Sequence, residues 1–190
     1  MHIHVNGDEA SEVSLEAIEA AARKHPWAGA RHVLQHCQMM GPDQFRRCAE
    51  LDVCTNIFSN HIWYFGDQHA ALTLGEDRAC RMDAARSALD AGVHVALHSD
   101  APVTPMGPLF TAWCAVNRQT MTGRTLGTQQ QISVTEALYA ITLGAAYTLK
   151  LDAEVGSIET GRYWARYPAG MCGCYEPAAP HGDQRLSGRW

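Results

Sequence analysis

Residues 93–100 read Val-His-Val-Ala-Leu-His-Ser-Asp. A short apolar run follows Gly92, a residue suited to the position just past a helix end, and it stops at three polar residues capable of chemistry. Helix, glycine, buried strand and polar strand end are the parts of a βα unit in a parallel sheet. The same order recurs upstream. HIHV between Met1 and Asn6 reads as a strand, followed by a helical stretch with Leu15, Ile18 and Ala22 at i, i+3 and i+7 that His25-Pro26 ends. RHVLQHCQ at 31–38 is a second strand before GPDQFRRCAEL, where Pro42 suits a first helical turn, and VCTNIF at 53–58 is a third. After a long connection rich in Trp63, Tyr64 and Phe65, a helix from about 76 is expected to bury Ala79, Met82 and Leu89 and to stop at Gly92. A last helix begins at Ser133, whose spacing to Glu136 makes a capping box, with Val134, Leu138, Ile141 and Ala145 as its apolar face.

Four strands alternating with helices predict an α/β fold with a parallel sheet. A closed (β/α)8 barrel takes about 250 residues and eight strands, so the 190 residues here read as half of one.

The composition, 46% hydrophobic and 18% charged, suits one domain with its own core. Fifteen basic against twenty acidic residues give a formal charge of -5, which argues against nucleic acid as a partner. The opening MHIHVNGDEA is polar rather than a signal peptide, and no apolar run nears the ~20 residues that span a bilayer. Seven cysteines, an odd number scattered through α/β sequence, suit free thiols in a reducing compartment. A soluble, cytoplasmic protein is the expectation.

Each strand ends in polar residues: His4 and Asn6 with Gly7-Asp8, then His36, then Asn60-His61, then His98-Ser99-Asp100. In parallel α/β proteins the site lies at the carboxyl ends of the strands, so these residues can converge. Neutral imidazole and carboxylate are ligands that zinc prefers, and a catalytic site uses about three of them plus a water. His4, His36 and Asp100 supply that set. Taken singly, a strand-end histidine is ordinarily a satisfied polar residue and Asp100 before Ala101-Pro102 a turn former; the convergence decides for ligands. His2 forms His-x-His with His4 but sits where a strand frays. His25, His32 and His94 read as structural. His61 and His69 are balanced between substrate contacts and solvent-facing loop residues.

IHVNGDEA, RHVLQHCQ, SNHIWYFGDQH, LHSDAPVTP, ISVTEAL and VGSIETG together resemble the carboxyl-terminal part of the amidohydrolase superfamily, in the amidohydrolase family 3 branch that holds N-substituted formamide deformylase-like enzymes. The resemblance covers about residues 1–163. It implies the C-terminal half of a metal-dependent hydrolase (β/α)8 TIM barrel, with His4 ending the fifth barrel strand, His36 the sixth and Asp100 the eighth. It further implies that these three hold a divalent metal, most simply zinc, and that Asp100 doubles as proton acceptor in hydrolysis of a small-molecule amide or formamide. His61, Trp63, Asp67 and His69 then fall after the seventh strand, where they can shape a substrate pocket.

The family's first-strand His-x-His pair and fourth-strand ligand have no counterpart in the sequence. Turnover is therefore expected to need an amino-terminal half or another chain, and the alternative is a catalytically inactive remnant or assembly partner of the same fold. After Tyr163 the sequence turns to WARYPAGMCGCYEPAAPHGDQRLSGRW, rich in Gly, Pro, Arg and Cys and without helical or strand period. Residues 164–190 are expected to be an irregular tail, read most simply as a frame shift; Cys172, Cys174 and His181 lack the paired spacing of a zinc motif.

Overall fold

The computed structural model describes residues 1–162. The expectations for 164–190, including Cys172, Cys174 and His181, lie outside the described residues. Four strands, β1 (His2–Val5), β2 (His32–His36), β3 (Val53–Ile57) and β4 (Val95–Leu97), form one sheet in the order β1-β2-β3-β4. Every pairing is parallel. Helices α1 (Asp8–Lys24) and α2 (Pro42–Glu50) connect the first three strands, as the apolar spacing and the N-terminal Pro42 dictate.

Register explains the two faces of the sheet. His4, Gln35, Asn56 and Ala96 share one row, and strand side chains alternate between faces. That row is polar: Asn56 Nδ2 donates to Gln35 Oε1 at 2.8 Å, and Gln35 Nε2 lies 2.6 Å from His2 Nδ1. From the opposite face Val5, Leu34, Ile57, Val95 and Leu97 enter the main core with Leu15 and Ile18 of α1 and Phe45 and Cys48 of α2. One face carries stability and the other carries polar chemistry, as expected for the outside and inside of a barrel wall.

The region between β3 and β4 departs from the expectation. The aromatic connection is a helix, α3 (Asn60–Gln68), continued by one π-helical turn at His69–Thr73. The single helix expected from about 76 is two, α4 (Glu76–Ala79) and α5 (Ala85–Asp90), because Asp83 adopts a positive φ of 50° that no helix accommodates. Met82 consequently packs with Ile62 and Leu126 in a separate small cluster. Gly92, with φ 80°, follows the end of α5 in the expected place.

Helix α6 (Pro108–Asn117) has no counterpart among the elements expected from the sequence. Helix α7 (Val134–Ile141) has the capping box on Ser133 and Glu136, but Val134 and Leu138 are exposed and Ala137 and Ala140 are the residues it buries. Thr142 breaks the chain direction before α8 (Leu143–Thr148). Among the described residues no helix is long and apolar enough to cross a membrane.

Candidate metal and hydrolase site

Alternation sends His4 of β1 to the polar face, and it sends His98, two residues beyond Ala96, the same way. His36 is different. It shares a row with Val5, Ile57 and, through Ile57, Leu97, all core residues. Regular backbone would bury it among them. Instead His36 and Cys37 have φ of 71° and 54°; the turn puts the Cys37 thiol into the core and sets the His36 ring 4.4 Å from that of His4 and 5.0 Å from that of His98. Left-handed backbone costs a non-glycine residue roughly 1–2 kcal/mol, and two in succession mark the point where the fold gives up stability to aim one imidazole.

Asp100, also at positive φ (52°), completes the group. One ligand atom from each of His36, His98 and Asp100 lies within 4.8 Å of the other two. His36 is buried, its Nδ1 has no hydrogen-bond partner among the described residues, and neither has the buried Nε2 of His98. Orphaned imidazole nitrogens beside a carboxylate are what a divalent cation would satisfy. Burial pushes the His98 imidazole down to about 4, with the neighbouring His36 adding to the effect, and burial lowers His36 in the same direction. Both rings are thus neutral at ordinary pH, the form that binds metal.

Neighbouring elements hold the loop after β4. Thr104 donates its hydroxyl proton to the Ser99 carbonyl and accepts from Asn60 Nδ2 at 2.8 Å. Phe58, following β3, is buried beneath the site and stacks on His98 with centroids 5.2 Å apart.

The four residues expected to shape a substrate pocket all sit on α3 or its π turn rather than in a loop. His61 is buried 4.1 Å from the Phe58 ring, with Nδ1 3.2 Å from Asp83 Oδ1. His69 Nε2 lies 3.1 Å from Gln38 Nε2, its Nδ1 2.9 Å from Thr73 Oγ1, and burial lowers its pKa. Trp63 turns toward Phe110 and Trp113 on α6, 5.7 and 5.5 Å away. Asp67 accepts from the Thr122 hydroxyl at 3.0 and 3.1 Å. His32 packs on Trp27 and His94 stacks on Tyr147, in keeping with structural roles.

Two members of this neighbourhood were not picked out in the sequence. His98 was visible at a strand end but not selected; alternation from Ala96 was the available signal. Asp83 was hidden inside an expected helix, and nothing local marks it as buried.

The family model described as the amidohydrolase family matches residues 1–164. The chain belongs to the amidohydrolase family. It is 33% identical over 162 residues to the N-substituted formamide deformylase of Arthrobacter pascens, covering 84% of this chain and 29% of that protein. Protein LONG AFTER FAR-RED 3 of Arabidopsis thaliana is 30% identical over 162 residues, covering 84% of this chain and 28% of its own length. Among solved structures, an uncharacterized metal-dependent hydrolase from Pyrococcus furiosus aligns with a TM-score of 0.68 at 24% identity, over 85% of this chain and 31% of that one. The fold is therefore the α/β barrel of amidohydrolases, of which the four described strands form half the wall, and the chain spans about three tenths of the length of its curated relatives.

Proposed function

We propose that the chain carries the metal-holding half of an amidohydrolase site that cleaves non-peptide carbon–nitrogen bonds, of amide or formamide type, in small molecules. The observation that carries this reading is the meeting of His36, His98 and Asp100 with two imidazole nitrogens left bare. Two nitrogen donors and one carboxylate suit zinc among divalent ions. In a second reading, supported by the ring contact between His4 and His36 and by the family resemblance, His4 takes the place of His98.

A bound divalent ion would supply Lewis acidity, polarising an amide carbonyl and acidifying water. The chain's residues do the rest. Asp100 would take the proton of the attacking water and, once protonated, return it to the leaving nitrogen. Phe58 backs the imidazoles with apolar surface, which favours their neutral, ligating form. His61, Trp63, Asp67 and His69, on α3 and its π turn, would shape the substrate pocket in this reading.

The polar face bearing His2, His4, Gln35 and Asn56 suits the inner wall of a barrel that further strands complete. Val13 on α1, and Val134 and Leu138 on α7, are exposed apolar residues on the outermost helices, fit to be covered by such neighbours. Residues 1–163 then act as one partial domain. Cys37, Cys48, Cys54, Cys80 and Cys114 are free thiols, which supports a cytoplasmic setting.

The test is hydrolysis of N-substituted formamides by the zinc-loaded chain, alone and with an amino-terminal half of a family barrel. Turnover that needs the added half and disappears in Asp100→Asn is the expected result. No turnover in either arm, with metal bound, would favour the inactive assembly partner.

A further inference from the structure

His61 and Asp83 stand beside the metal-ligand group but outside it. Asp83 is 1% exposed and held by three segments of chain. Its N–H donates to the Gln38 carbonyl at 2.8 Å, and its own carbonyl accepts from Arg118 Nη1 at 3.0 Å. The His61 ring meets its carboxylate. A buried carboxylate is costly unless compensated, and the buried guanidinium of Arg118 supplies nearby positive charge.

A counter-ion for Arg118 would be the plain reading of Asp83. The hydrogen bonds say otherwise. Arg118 spends Nε, Nη1 and Nη2 on the carbonyls of Leu126, Asp83 and Met82 and none on the Asp83 carboxylate. The side chain that the carboxylate engages is His61. Asp83 also sits at positive φ, as His36 and Asp100 do, so all three are aimed by strained backbone. If Nδ1 carries the proton toward Asp83, Nε2 keeps its lone pair. Phe58 packs against both His61 and His98, which sets the His61 ring next to the metal-ligand group.

We propose that Asp83 is a positioning residue that fixes the tautomer of His61, and that His61 Nε2 accepts the N–H of the substrate amide, making the site specific for amides that carry at least one N–H. This rests on the hydrolase reading above and adds a substrate class to it. An Nε2 that carries no proton cannot donate, so an N,N-disubstituted amide would leave it unpaired on a buried residue, which is how a hydrogen-bonding site rejects an analogue lacking the group.

The experiment uses the full chain with its histidine rings labelled with nitrogen-15. In the metal-free protein the His61 ring should be held with the proton on Nδ1, and Asp83→Asn should move much of it to the Nε2–H form. An unchanged ring in Asp83→Asn would overturn the positioning role. In the second arm N-methylformamide and N,N-dimethylformamide are titrated into the chain with and without zinc. The wild type should bind the former about tenfold more tightly, a single hydrogen bond's worth. His61→Phe, which leaves Asp83 and Arg118 in the sequence but removes the imidazole, should abolish the preference, with its folding checked by thermal unfolding. A preference absent from the wild type, or retained in His61→Phe, would overturn the assignment. Failure to bind zinc would count against the hydrolase reading alone, since the tautomer measurement requires no metal.

Discussion

The rings of His36 and His98 stand 5.0 Å apart although their strands, β2 and β4, are separated by β3. Neighbouring strands lie about 4.8 Å apart, so rings two strands apart meet only if side chains lean across the intervening strand end. His98 does so from a regular strand end. His36 does so because its backbone turns left-handed and takes the ring out of the core row.

This relationship predicts the order of metal-binding losses. Replacing a group that merely supports a ligand costs about 10–100-fold in affinity, so His36→Ala and Asp100→Asn should each weaken zinc binding by at least about 100-fold in a chelator-competition titration. His98→Ala should match them if His98 is the third ligand. The reading with His4 predicts instead that His4→Ala carries the large loss and His98→Ala a small one.

Arg118 is the largest fully buried side chain, and it satisfies three backbone carbonyls from two different loops. Arg118→Met should therefore destabilise the chain by about 3–5 kcal/mol, leaving Asp83 without nearby positive charge. Urea unfolding checks this. A loss under 1 kcal/mol would mean that water replaces the guanidinium freely.

The capping box of α7 gives a pH signature away from the site. The Ser133 backbone N–H, Arg86 and the Ser133 hydroxyl hold the Glu136 carboxyl down to about 2, below the ordinary value of 4.5. Because the folded value is depressed, the contribution is present above about pH 4.5 and is lost as pH falls toward 2. Glu136→Gln should cost about 1 kcal/mol at pH 7, with wild type and variant converging near pH 2 in denaturation curves.

Gly127 is required by geometry. Its φ is 65°, and an added Cβ would stand 1.8 Å from the Cys80 carbonyl oxygen, a backbone atom that cannot step aside cheaply. Gly127→Ala should destabilise by on the order of 3 kcal/mol or more, seen as a large fall in thermal midpoint, whereas Gly123→Ala, with positive φ but open space around it, should lose only the smaller backbone cost.

The strands and their order were legible because buried parallel strands are short apolar runs with polar ends, and His4, His36 and Asp100 could be picked from those ends. The Ser133–Glu136 box was legible for the same local reason. What escaped depends on tertiary contact. Helix α3 carries aromatic residues and Gly66 of modest helix propensity. Gly66 is buried where a Cβ would meet Leu126 and Thr120 at 2.9 Å, a fit that no local pattern announces. Helix α6 is apolar on most sides and shows no polar face to set a period. Asp83 lay in a stretch that reads as helix, and its burial is made tolerable by distant partners, His61 at its carboxylate and Arg118, 35 residues on, at its carbonyl.

Zinc X-ray absorption on the stoichiometrically loaded chain tests most directly whether His36, His98 and Asp100 form a metal site. One tightly held zinc per chain is expected, with two imidazoles in a nitrogen and oxygen shell at about 2.0–2.2 Å, and the imidazole scattering should be lost in a His36→Ala/His98→Ala double variant. A chain that takes up no zinc, or a spectrum that the double variant leaves unchanged, would contradict it.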